Sequence, residues 1–173
     1  MEFKNIVSEI VSEDEFERML EKPTDYTAYI GYEPSGVLHV GHMVTANAMI
    51  ELQQMGFNVK VLIADLHAEL NGKGSAEEMR ETGEVMREQL LSFGLSDDTE
   101  FVYGSDFQMN EEYQRMVHKL AQETTSKRAE RAMADISDGS EKVSHMMYPV
   151  MQATDIWQLK ADIGVGGMEQ RKV

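Results

Sequence analysis

The sequence contains no cysteine. Disulfides and thiolate metal sites are therefore excluded. It has no apolar run of about eighteen residues, the length a membrane-spanning helix needs. Its N-terminus, Met1-Glu2-Phe3-Lys4, lacks the basic region and apolar core of a signal peptide. A soluble cytoplasmic protein with no membrane partner is the expectation. Basic charge is scarce: 16 Lys and Arg stand against 31 Asp and Glu, a formal charge of −15. Such a surface repels phosphates and disfavours nucleic-acid binding overall. A salt-rich cytoplasm would tolerate the excess, because charge is screened there. One local exception is Lys127, Arg128 and Arg131 on one helical face, with Lys119 about two turns earlier. A solvated helix face is the plain alternative, and Glu123 and Glu130 support it.

The 173 residues suit one domain. Residues 12–21 read as a short helix, with Ser12 and Glu15 as a capping box and Phe16, Met19 and Leu20 as its buried stripe. Pro23-Thr24-Asp25 ends it. Tyr29, Ile30 and Tyr32 form a strand that breaks at Pro34-Ser35-Gly36. The helix that follows carries Val40, Met43, Val44, Ala46, Met49 and Ile50 and stops at Gly56. Val59 to Ala64 is a largely apolar second strand, as in a parallel sheet covered on both faces. Asp65-Leu66-His67-Ala68 lies at its C-terminal end. Ser75 and Glu78 cap a helix striped by Met79, Met86, Leu90 and Phe93 and closed by Gly94, and Phe101-Val102-Tyr103 is a third strand. The order is that of a doubly wound α/β sheet, with ligands expected along the C-terminal strand edge.

The alternation is interrupted from Phe107 to about Met147. Tyr113, Met116, Val117 and Leu120 mark one helix there; Ala129, Ala132, Met133 and Ile136 mark another, before a loop at Asp138-Gly139-Ser140. Helix resumes at Tyr148-Pro149, with proline in the first turn. Ala161 to Val165 is a fourth strand, and Gly166 to Gln170 opens another helix. Gly164-Val165-Gly166-Gly167 has the wrong spacing for a dinucleotide fingerprint.

Two constellations carry chemistry. The strand, tight loop and helix N-terminus around Gly36 form an anion seat, with His39 and His42 standing on one helical face. A turn with two surface histidines, or a metal half-site, is the alternative. Tyr148, Gln152 and Asp155 place polar groups on a helix that flanks a sheet. Buried polar groups need partners, so this face is either a structural network or a ligand pocket.

Glu33-Pro-Ser-Gly-x-x-His39-x-Gly41-His42 resembles the first signature of class I aminoacyl-tRNA synthetases, closest to the tyrosyl enzymes of the archaeal and eukaryotic type. Tyr148-Pro-Val-Met-Gln152-Ala-Thr-Asp155 resembles the amino-acid-binding helix of that family, and Val165 to Lys172 its glycine-rich segment. The resemblance runs from about Ser8 to the C-terminus. It implies a Rossmann-like α/β fold of the class I synthetase type, spanning 1–173 as part of the catalytic domain and stopping before the last strand. It also implies a connective helical insertion over 107–147, through which the family dimerises. The second, lysine-bearing signature and the anticodon domain are absent by this reading, and impaired activity is expected. The implied reaction is ATP-dependent activation of L-tyrosine and transfer to tRNA(Tyr), with magnesium accompanying ATP and no protein metal site. Tyr29 and Asp155 would hydrogen-bond the phenolic hydroxyl. Tyr148, Gln152 and Gln170 would hold the α-amino group. Gly31, Leu62, Ala64 and His67 would line the ring pocket, with Gln108 nearby. Glu33, His39, Gly41 and His42 would face ATP, and Arg131 and Arg171 would approach the tRNA acceptor stem. The alternatives are another nucleotidyltransferase with the same His-x-Gly-His seat, and a non-catalytic tyrosine-binding or interaction module.

Overall fold

The computed structural model describes residues 3–133, 143–168 and 170. Four strands, β1 (Thr27–Tyr32), β2 (Asn58–Ile63), β3 (Glu100–Tyr103) and β4 (Ile163–Gly164), form one sheet in the order β3-β2-β1-β4. Every pairing is parallel, with Tyr29 opposite Lys60 and Gly164, and Gly31 opposite Leu62. The order reverses beside β1, so the cleft at the C-terminal strand ends opens there.

Side chains alternate across a strand, and β1 feeds two faces. Ala28, Ile30 and Tyr32 enter the main core with Ala46, Met49 and Leu52 of α2 (Val40–Gln54) and Met86 and Leu90 of α4 (Ala76–Phe93). Tyr29 turns to the other face and packs with Leu62, Ala64 and Leu159. That face is covered by α7 (Val143–Gln158), which also packs on α5 (Glu111–Glu123) and α6 (Ser126–Met133). A short helix, α3 (Asp65–Leu70), follows β2 directly. The N-terminal segment, with α1 (Glu13–Met19), docks on the main core through Phe3, Phe16 and Phe57, whose rings stack in series.

Gly36 (φ 137°) makes the turn before α2, and Gly94 (φ 119°) closes α4 in a left-handed conformation. Ser75 and Glu78 form the expected reciprocal cap. The cap expected of Ser12 and Glu15 does not form: Ser12 is the N-cap of α1, but its side chain makes no capping bond. Its ψ is 73°, against 163° at Ser75, so its hydroxyl is not aimed at the first-turn N–H groups. Proline in a first turn is also corrected. Helix α7 is already formed at Val143, and Pro149 lies in its interior. The lost backbone bond and ring clash cost about 3 kcal/mol in isolation. Packing of Pro149, Val150 and Met151 into the protein offsets that cost. After β4 no long helix is seen among the described residues; Gln170 N–H bonds the Gly167 carbonyl in a single turn. Ile136 and the loop 138–140 lie outside the described residues. The stripes of α5 and α6 (Tyr113 and Val117; Ala129, Ala132 and Met133) are buried.

Candidate active site

At the His39 end of the cleft the geometry is local. His39 is the N-cap of α2, and its Nδ1 accepts the Gly41 N–H at 3.1 Å. The Nδ1 of His42 accepts the His39 N–H at 3.2 Å. Both Nδ1 atoms are acceptors, so each neutral imidazole carries its proton on Nε2. The rings lie 4.1 Å apart, and burial, with His39 as neighbour, holds His42 below the usual histidine range. Two N–H donors therefore stand at a helix N-terminus whose own amides favour an anion. A Cβ at Gly41 would lie 2.9 Å from the His39 ring. Glycine here makes room for that ring, in addition to any close approach by a ligand.

At the other end the side chains come from five segments. Asp155, on α7, is 1 % exposed. Its Oδ1 accepts from Gln108 Nε2 at 2.7 Å and from the Tyr113 hydroxyl at 2.7 Å. Its Oδ2 has no hydrogen-bond partner among the described residues and lies 3.9 Å from His67 Nε2, which is also unpartnered. Gln108 Nε2 also lies 3.4 Å from His67 Nδ1, which then accepts and leaves the imidazole proton on Nε2. A buried acceptor and a buried donor thus border one space. Unpaired groups of this kind cost about 1–3 kcal/mol each. Burial pushes Asp155 up to about 7, against the pull of its two hydrogen bonds, and pushes His67 down to about 4 despite the charges of Glu33 and Asp65. The Tyr29 phenol is raised by burial and, to a smaller extent, by the Asp155 charge. Gly31 clears the way for that phenol: a Cβ there would stand 2.8 Å from the Tyr29 oxygen.

Tyr148 links the two ends. Its ring meets His67 edge-on at 4.7 Å, and its hydroxyl donates to Glu33 at 3.3 Å. Glu33 also pairs with Lys73 Nζ at 2.7 Å and accepts from Asn71. Gln152 Nε2 donates to Gln170 Oε1 at 2.9 Å, and the buried Gln152 side-chain carbonyl has no partner among the described residues. Leu62 and Ala64 are buried beside Tyr29. Arg131 is exposed on α6, and Arg171 lies outside the described residues.

Sequence reasoning took Tyr113 for core packing. Its signal was available: a buried tyrosine hydroxyl needs a partner. Nothing local marked Asn71 or Lys73. A separate apolar groove of about 390 Å³, lined by Ile10, Phe16, Val44, Ala48, Ile163 and Met168 among others, contains none of the predicted site residues. No group of three or more His, Asp or Glu among the described residues is placed to hold a metal ion, and no helix among them is long and apolar enough to cross a membrane.

Residues 21–173 match the family model described as tRNA synthetases class I (W and Y). A protein named tyrosine–tRNA ligase from Halorubrum lacusprofundi is 57 % identical over 168 residues, covering 96 % of this chain and 51 % of that protein. One of the same name from Methanococcoides burtonii is 47 % identical, covering 98 % of this chain and 55 % of that protein. The crystal structure of tyrosyl-tRNA synthetase complexed with L-tyrosine from Archaeoglobus fulgidus superposes with a TM-score of 0.92 at 41 % identity, covering 98 % of this chain and 56 % of that one. The chain spans about half the length of the curated relatives it matches.

Proposed function

The chain belongs to the class I tRNA synthetases of the tryptophan and tyrosine group, and on that premise we propose that it activates L-tyrosine with ATP for transfer to tRNA(Tyr). The observation that carries the choice of tyrosine is the buried, half-satisfied carboxylate of Asp155, 3.9 Å from the His67 N–H and close enough for its charge to act on the Tyr29 phenol. A ligand hydroxyl entering there donates to Oδ2 and accepts from a neighbouring donor. Phenylalanine would leave both groups unpaired.

Tyr148, Gln152 and Gln170 take the α-amino group, and Gly31, Leu62, Ala64 and His67 enclose the ring, with Gln108 behind. This orientation directs the substrate carboxylate toward the His39 end. One carboxylate oxygen attacks the α-phosphorus of ATP, the bond to the β-phosphate oxygen breaks, and pyrophosphate leaves. Charge grows on the α-phosphate oxygens, where the Nε2–H groups of His39 and His42 donate; positioning and electrostatics supply most of such a rate. Gly41 keeps the helix backbone open, and Glu33 stands between the two substrates. Magnesium enters with ATP as part of the substrate. In the second step a terminal ribose hydroxyl of tRNA attacks the adenylate carbonyl and AMP departs. Arg131 and Arg171 are assigned to the acceptor stem.

The segment 107–147 is read as the connective insertion between the two halves of the fold. The apolar stripes of α5 and α6 are consumed within the protomer. The homodimer we assign to this region therefore rests on the exposed Met109, Val143 and Met146. Sedimentation should show a dimer, and monomer alone at high micromolar concentration would count against it. The test of the reaction is tyrosine-dependent exchange of pyrophosphate into ATP. Exchange stimulated by another amino acid and not by tyrosine would sink the reading.

A further inference from the structure

Tyr113 does not line the cleft. It is 0 % exposed, packed among Val117, Val150 and Met151. Its hydroxyl nevertheless lies 2.7 Å from Asp155 Oδ1 and 3.0 Å from the Met151 carbonyl. A hydroxyl has one proton, and the shorter, charge-assisted contact takes it. Gln108 occupies a second lone pair of the same oxygen. Gln108 is in turn seated by Gly104, since a Cβ at that position would collide with its carboxamide. Gln114 Nε2 anchors the Gln108 backbone carbonyl at 2.7 Å. Both donors to Asp155 among the described residues are thus spent on Oδ1, and its Oδ2, 3.9 Å from His67 Nε2, is left without a hydrogen-bond partner among them.

We propose that Tyr113 is a positioning residue for substrate selection: acting through Asp155, it fixes which carboxylate oxygen meets the ligand and favours the ionised form that a phenolic hydroxyl requires. The proposal rests on the tyrosine-activating function above. A neutral carboxyl could turn its own O–H toward the ligand and would discriminate poorly between a phenol and a bare ring. Two short hydrogen bonds to one oxygen stabilise the anion and lock the rotamer together.

The groups facing Asp155 leave a simple titration. Tyr29 from β1, Tyr113 from α5 and Tyr148 from α7 all have phenols raised by burial, so they stay protonated. His67 from α3 is held near 4 and stays neutral, and Glu33 accepts from the Tyr148 hydroxyl at 3.3 Å and is not among the groups that shift Asp155. Asp155, near 7, is the group that changes charge around neutrality. Tyrosine affinity should therefore rise with pH through that value and then level off. Phenylalanine, with no hydroxyl to donate, should not follow.

The experiment is calorimetric titration of the chain with L-tyrosine and with L-phenylalanine, from about pH 5.5 to about pH 9, a range that brackets the carboxyl. Tyr113→Phe keeps the ring and deletes one donor. It should move the midpoint of the tyrosine curve up by about one pH unit and weaken tyrosine binding roughly tenfold at pH 7, with most of the loss recovered at high pH. Phenylalanine binding should change less than about twofold, the size of a surface effect. Gly104→Ala, which displaces Gln108 without removing a side chain, should shift the midpoint in the same direction and carries the test if Tyr113→Phe does not fold. An unshifted midpoint in both variants, or an equal loss for both amino acids at every pH, would overturn the positioning role. Unmodified chain that prefers phenylalanine, or fails to distinguish the two, would instead remove the functional reading beneath it.

Discussion

At the His39 end of the cleft, one loop and one helix turn supply every group, the rings are partly open to solvent, and each histidine is held by a backbone N–H at most three residues away. At the Asp155 end, the groups come from β1, α3, the loop before α5, α5 itself and α7; they are buried, and three of their polar atoms, His67 Nε2, Gln108 Oε1 and Asp155 Oδ2, have no partner among the described residues. The first arrangement is a helix cap that also presents donors. It exists once the helix forms, and no distant residue is needed to aim it. The second exists only when the sheet, α5 and α7 have closed on one another, and closure itself sets its charge. A site for a highly charged ligand can be built locally because helix-end amides and imidazoles do not have to be dry. A site that must tell a phenol from a phenyl ring has to be dry, because water would satisfy the unpaired groups whichever ligand bound.

Separating the two ends by mutation should give the largest effect at the histidines. His39→Ala with His42→Ala should reduce pyrophosphate exchange by a thousandfold or more, since each transition-state donor is worth about 3 kcal/mol. Tyrosine binding measured without ATP should stay within about twofold, because neither ring reaches the buried pocket. Equal damage to tyrosine binding would erase the distinction between the ends.

The next effect has the opposite sign for stability. Asp155 binds a proton up to about 7 in the folded chain, against an ordinary value of 3.8. Between those values the folded state holds a proton that the unfolded chain has released. This group's contribution to stability therefore falls as pH rises through the window. Asp155→Asn can keep both bonds at the Oδ1 position and cannot ionise. Relative to the unmodified chain it should gain about 2–3 kcal/mol between about pH 5 and pH 8 in ligand-free thermal unfolding, an upper range for a shift of this size. A constant difference across pH would mean that burial does not govern this carboxyl.

The smallest effect supplies the reference. Ser75→Ala removes a reciprocal cap with no chemistry attached and should cost about 1 kcal/mol of stability, while Ser12→Ala, at a helix start without a capping bond, should cost nearly nothing. If the histidine double variant loses about as much stability as Ser75→Ala, the remainder of its kinetic loss belongs to the donors rather than to the cap.

The sequence by itself determined what depends on neighbours along the chain. The Gly36 turn, the His39–His42 pair at a helix start, the Ser75–Glu78 cap, the Gly94 stop and the alternation that sends Tyr29 and Ile30 to opposite faces all follow from backbone geometry within a few residues. The resemblance carried by three short motifs extended that reading to the polar face of α7. Where local rules were applied without tertiary context they failed: Ser12 has a capping sequence but the wrong ψ, and Pro149 sits inside a helix that packing keeps intact. Only the tertiary structure decided the state of the pocket. Gln108 and Tyr113 reach Asp155 from 47 and 42 residues away, and the carboxyl's raised proton affinity comes first from desolvation, which no stretch of sequence contains. A hydrogen bond between neighbours is written in the spacing of residues, whereas the cost of removing a charge from water is fixed only when the last element closes over it.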